Sequence, residues 1–246
     1  MDYQANQYTF NPEETTQVNT DAKVATFMRN VYVWMGIGLL LTSAVAFFAG
    51  TSKGFWTLML RTDFMAYYGI FIVWAIMGFV MSFFIGKMSK VVSGIMFLIY
   101  SVLTGLALAD IFLIYSSVSI LTTFGIAGGM FLGMSLYGTI TKRDLTKVGQ
   151  LAVAGLMGIL IAMLVNFIVG PLLWRTSINI IDIVISFIGV IVFLGLIAYR
   201  TQQLREIAIH GIEGQEGNLA IYGAYTLYVS FINLFLFLLR ILGRRR

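Results

Sequence analysis

Cysteine is absent from this sequence, histidine occurs once, at His210, and proline only twice. Without cysteine there is no disulfide framework, no thiolate nucleophile and no cysteine-ligated metal centre. A Ser–His mechanism has one candidate histidine, and it lies in a polar connection rather than at membrane depth. The last apolar run, Leu219–Leu242, has no lysine, which excludes a Schiff-base pigment there. Charge is also scarce. Asp, Glu, Lys and Arg make up 11% of the 246 residues, against about 25% in a soluble domain. With 59% hydrophobic residues and a mean hydropathy of +0.89, the chain is expected to be an all-α integral membrane protein with no catalytic residues and no cofactor.

A membrane-spanning helix needs about 20 mostly apolar residues. Seven runs meet that length: Val31–Gly50, Phe64–Ile85, Val91–Ala109, Val118–Ile140, Val148–Val169, Ile178–Tyr199 and Leu219–Leu242. Residues 30–243 therefore read as one seven-helix transmembrane domain. Residues 1–29 are rich in Asn, Gln, Thr and Glu and lack the basic start and apolar core of a secretory signal, which predicts a loosely attached, disordered tail. Residues 244–246 are a basic end suited to anchoring at headgroups. Two stripes of small residues, Ser101–Gly105–Ala109 and Gly125–Gly129–Gly133, each put one helix face within reach of a neighbouring backbone, and both are expected to be packing seams.

The basic residues set the orientation. An inside start puts Lys23, Arg29, Lys87, Lys90, Lys142, Arg143, Lys147, Arg200 and Arg205 in the cytoplasm, against Lys53, Arg61 and Arg175 outside. Arg240 and Arg244–Arg246 fall outside if the last run crosses fully. A re-entrant last helix would instead return them to the inside.

Four segments in order along the chain, "FMRNVYVWMGIGLLLTSAVA" (Phe27–Ala46), "SLYGTITKRDLTKVG" (Ser135–Gly149), "GLIAYRTQQL" (Gly195–Leu204) and "LYVSFINLFLFLLRILG" (Leu227–Gly243), resemble the bacterial branch of the Bax inhibitor-1 family. The resemblance implies a seven-helix bundle in a bacterial inner membrane, with the last helix surrounded by the other six. It also implies a role in pH-sensitive calcium leak or stress protection, or as a modulator of a membrane-bound quality-control protease. Ca²⁺ would then be a permeant ion. In that family two aspartates of the sixth and seventh helices face each other, and the matching positions here are Arg200 and Ser230, with Thr201, Gln202 and Asn233 as polar neighbours.

Two close carboxylates cannot both ionise cheaply, so one keeps its proton into the physiological range and its release can open a gate. Arginine stays protonated and serine does not titrate, so these positions cannot run that switch. They also exclude a paired-aspartate intramembrane protease. Arg200 has two readings. It either latches onto Ser230, Asn233 or helix-end carbonyls, or it snorkels from a helix terminus, where a cation is favoured by about 0.3–1 kcal/mol. Ser230, deep in its run, is expected to bond a carbonyl of its own helix.

Asp110 and Asp182 both lie toward the outer face, the latter about 27 Å along its helix from Arg200. They read either as solvated helix-end acids or as an outer cation vestibule, and Asp144 is expected to pair with Lys142, Arg143 and Lys147. The charge distribution predicts that single cysteines placed near Lys23 and in the 142–147 loop are both labelled from the cytoplasmic side. Labelling of both from outside would invert the topology.

Overall fold

A computed structural model describes residues 12–173, 180–211 and 214–244, with side chains described at 20–162, 165, 182–211 and 214–244. Among these residues the chain is helical, without strands: α1 (Pro12–Thr51), α2 (Lys53–Arg61), α3 (Met65–Phe84), a single 3-10 turn (Ile85–Lys87), α4 (Lys90–Ala107), α5 (Ile111–Ile114), α6 (Ser117–Ile140), α7 (Thr146–Leu173), α8 (Ile180–His210) and α9 (Glu216–Leu242). Within the described residues six helices are long and apolar enough to cross a bilayer. The remaining run corresponds to the 28-residue α7, whose described apolar stretch is Thr146–Ala162.

The elements depart from the runs where local chemistry overrides hydropathy. Helix α1 reaches back to Pro12 through positions whose polar composition suggests a tail; Met1–Asn11 lie outside the described residues. Ser52 starts α2 by accepting from the Phe55 N–H at 3.2 Å. This short helix lays Phe55 and Trp56 against Tyr67, with ring centroids 6.5 and 5.8 Å apart. Asp63 (φ 47°) and Phe64 (φ 61°) then take left-handed conformations that turn the chain into α3. Neither α2 nor α5 is long enough to span, so neither registers as an apolar run.

The last helix is the most buried of the six candidate spans. It packs on α1, α4, α6 and α8, while α3 leans on α4 and α7 on α8. The last helix is central, as expected, but its six neighbours are not equivalent: four pack along it, α3 meets it through one side chain and the turn that follows, and α7 packs on α8. Helix α3 reaches α9 through the Tyr225 hydroxyl, which donates to the Gly78 carbonyl at 2.8 Å and lies 3.0 Å from Ser82 Oγ. The exterior is apolar, as at Phe79, Leu121 and Leu151, which suits lipid. The polar side chains Thr42, Ser101, Thr104, Thr201 and Ser230 are inside.

Helix α9 runs unbroken for 27 residues, about 40 Å. Gly217 lies against Lys90 at one end and Gly243 against Tyr115 at the other. The last helix thus runs from one end of the bundle to the other without turning back. Arg240 and Arg244 share an end with Lys53, and the Ser116 N–H donates to the Arg244 carbonyl at 3.2 Å while the Arg244 N–H donates to Ser119 Oγ at 3.1 Å. The opposite end carries Lys87, Lys90, Lys142 and Arg205.

Of the two small-residue stripes, one is a seam. Gly105 sits where a Cβ would come within 2.7 Å of the Thr42 carbonyl, and Ser101 and Ala109 are fully buried beside it. Gly125, Gly129 and Gly133 have nothing within 4 Å and face outward, which corrects that expectation. The close approach of α6 to α8 falls instead at Gly138, where a Cβ would run into the Ala198 backbone. We expect Gly138→Val to lower stability by about 1–3 kcal/mol through overpacking and Gly129→Val to leave it nearly unchanged. Thermal unfolding in detergent compares the two.

Candidate functional site

Helices α8 and α9 pack antiparallel, with Gly189 against Phe237 and Leu204 against Gly223. That register brings Ser230 level with Ile197 and Arg200 level with Leu227. The two positions therefore stand on facing helices, offset by just under one turn, about 4.5 Å along the axis.

Arg200 is not at a helix terminus, because α8 continues to His210. The favourable end-of-helix dipole position is thus corrected: the guanidinium lies within the bundle, half-buried, and its Nε is enclosed with no hydrogen-bond partner. Its charge acts on the hydroxyl of Tyr225. Ser230 is buried and donates to the Thr226 carbonyl at 2.8 Å, and Asn233 Nδ2 donates to the Val229 carbonyl at 2.8 Å. Among the described residues no hydrogen bond joins Arg200 to either. The site holds one permanent cation and one hydroxyl engaged within its own helix, and neither group can exchange a proton near neutral pH.

Thr201 and Gln202, next along α8, are cross-braces. Thr201 Oγ1 donates to the Ile197 carbonyl at 2.8 Å and lies 3.2 Å from Ser135 Oγ, which meets the Tyr32 hydroxyl at 2.5 Å, so α8, α6 and α1 share one chain of hydroxyls. Gln202 holds the α6–α7 loop: its Nε2 donates to the Arg143 carbonyl at 2.8 Å and its Oε1 accepts from the Leu145 N–H at 2.9 Å. Asp144 does not pair with its basic neighbours. Its carboxylate accepts from the Thr146 hydroxyl at 2.5 Å and the Thr146 N–H at 2.8 Å, starting α7. Those donors, with a smaller effect of Lys147, hold the Asp144 carboxyl below the usual carboxylate range. With the folded value depressed, this stabilisation is complete above the unfolded value of about 3.9 and is lost as pH falls through the lower folded one.

The outer acids stand on different elements. Asp110, at the α4–α5 junction, neighbours the Tyr67 hydroxyl and lines a cavity of about 340 Å³ together with Asn233 and Arg240. Asp182 is in the first turn of α8, a helix that packs on α1, α6, α7 and α9. His210 ends α8 rather than lying in a connection, with its Nδ1 3.6 Å from a Glu206 carboxylate oxygen at the exposed surface. No group of three potential metal ligands exists among the described residues.

Five further contacts are invisible in sequence because their partners are far apart in the chain. Thr42 Oγ1 donates to the Ser101 carbonyl at 2.8 Å and meets the Tyr228 hydroxyl at 2.6 Å. Trp74 Nε1 donates to Thr104 Oγ1 at 3.0 Å. Asn218 accepts from Ser93 Oγ at 2.7 Å and donates to the Gly86 carbonyl at 3.0 Å. The sequence signal is a polar residue within an apolar run or, for Asn218, just before one.

A bundle of membrane-length helices around a polar-braced central helix defines a multi-pass membrane protein. The family described as "Inhibitor of apoptosis-promoting Bax1" matches residues 24–246. The chain belongs to this Bax inhibitor-1 family. It is 42% identical over 240 residues to the inner membrane protein YbhL of Escherichia coli K12, covering 96% of this chain and 98% of that one. It is 38% identical to an uncharacterised protein of Deinococcus radiodurans, covering 92% and 94% of the two chains. It is 32% identical to an uncharacterised membrane protein of Streptococcus pyogenes, covering 92% and 95%. The spans and these relatives put the chain in a bacterial inner membrane.

The bracing of the α6–α7 loop can be tested by Gln202→Leu, which removes both hydrogen bonds and leaves backbone groups unsatisfied. A loss of about 1–3 kcal/mol is expected, with faster amide exchange confined to residues 142–146. Unchanged exchange there would assign the loop's order to other contacts.

Proposed function

We propose that this protein is a non-catalytic ion-homeostasis or membrane-integrity protein, built on a calcium-leak scaffold, whose conductance is weak and nearly independent of pH. The observation that carries this is the chemistry of two facing positions on α8 and α9. Arg200 carries a fixed charge and an enclosed Nε, and Ser230 spends its hydroxyl on Thr226. A cation near the path repels Ca²⁺, which takes several oxygen ligands including carboxylates. Asp110, at the α4–α5 junction, and Asp182, in the first turn of α8, lie toward the other end of the bundle from Arg200, so neither replaces a missing carboxylate. With the N-terminus cytoplasmic, Arg200 lies in the inner half of the membrane.

In liposomes, the unmodified protein is expected to pass little Ca²⁺, with a flat profile between about pH 6 and 8, the range in which a histidine-like group would respond. The double change Arg200→Asp with Ser230→Asp sets two carboxylates less than a turn apart on facing helices. It should raise flux and introduce a pH dependence. Ser230→Asp alone sets a carboxylate beside a permanent cation and should switch little. A steep pH profile in the unmodified protein would overturn the reading. Absence of flux in every variant, together with a co-purifying membrane protease lost on deleting residues 1–21, would favour a modulator of that partner.

A further inference from the structure

The cavity at the α2 end of the bundle has an unusual charge pattern for a membrane-embedded space. It encloses about 340 Å³ between α3, the α4–α5 junction and α9, at the lower end of the range for small-molecule sites. Phe71, Ile114 and Leu236 give it apolar walls, and Asp110, Arg240 and Asn233 supply its charged and amide groups. Asp110 and Arg240 form no ion pair with each other, although both line the same space. Arg240 is exposed and lies over the Phe237 ring, 5.8 Å from its centroid. Asn233 gives one amide N–H to its own helix.

A purely anionic guest would be opposed by Asp110 and a purely cationic one by Arg240. A guest with an anion and a cation a few atoms apart, and an apolar chain, satisfies all three features of the lining. Membrane lipids carry these groups, and the exposed Ile114 puts the cavity mouth at the bundle surface. The cavity is too small for a whole phospholipid, so it takes the headgroup and the first part of one chain while the rest stays in the leaflet. We infer that this cavity is a binding site for phosphatidylethanolamine, with the phosphate on Arg240 and the ammonium shared by Asp110 and the Asn233 side-chain oxygen. A primary ammonium has three N–H donors for those oxygens; a quaternary choline has none.

The test uses the full chain, reconstituted with equal amounts of phosphatidylethanolamine, phosphatidylcholine and phosphatidylglycerol and then purified, with the retained lipid quantified by mass spectrometry. The unmodified protein should hold phosphatidylethanolamine over the other two by about tenfold, the factor expected from one charge-assisted hydrogen bond. Asp110→Asn should abolish the preference over phosphatidylglycerol. Arg240→Gln should lower retention of all three. Leu236→Trp, which fills the space without touching a charge, should remove bound lipid while thermal unfolding shows the fold intact, and it gives the reading if Asp110→Asn fails to fold. Equal retention of the three lipids by the unmodified protein, or retention unaffected by Leu236→Trp, would overturn the assignment.

Discussion

A polar side chain at membrane depth must find its partner within the protein, because lipid offers none. Helix α9 carries Asn218, Tyr225 and Tyr228, and each ends on a different neighbour: Asn218 on Ser93 and the turn at Gly86, Tyr225 on α3 at Gly78, and Tyr228 on Thr42 of α1. Apolar packing alone gives helices in lipid little reason to choose one neighbour over another, since lipid tails are as apolar as leucine. These pairings fix which helices meet α9 and at what height. Phe97 and Tyr100 then fill the space around Tyr228, with ring centroids 5.4 and 6.2 Å away.

The same constraint explains why Arg200 stands out. Ser230, Asn233, Thr201 and Gln202 all have partners, whereas Arg200 carries a permanent charge with its Nε enclosed and unbonded. A charge at the centre of a spanning helix costs about 2.5–3.5 kcal/mol on insertion scales, and a helix that ended there would let it escape to water. Helix α8 does not end there. Gln202 and Thr201 tie it to the α6–α7 loop and to α6, which keeps the cation at a fixed height beside Tyr225.

The two ends of the bundle are built differently. At the loop end, Asn218, Gln202 and Asp144 hold backbone groups of turns, so the polar residues there are braces. At the α2 end, Asp110 and Arg240 face a shared cavity without pairing. Asp110 has the Tyr67 hydroxyl beside it and Arg240 lies over the Phe237 ring, so the two charges share the space without meeting each other.

Composition alone determined the class, because 59% hydrophobic residues with 11% charge admit no soluble core. Hydropathy also located the long helices, since bilayer thickness sets their length and the apolar runs record it. It could not locate the ends of α1 and α8, which are extended by polar helix formers outside the lipid, nor the short α2 and α5. Small-residue spacing could not tell Gly105 from Gly129, because both stripes read alike and only tertiary structure decides which face meets a neighbour. Ser230's bond within its own helix was legible because it is local. The height of Arg200 and the Thr42–Tyr228 contact were decided by packing between residues far apart in the chain, which no local pattern of residues encodes.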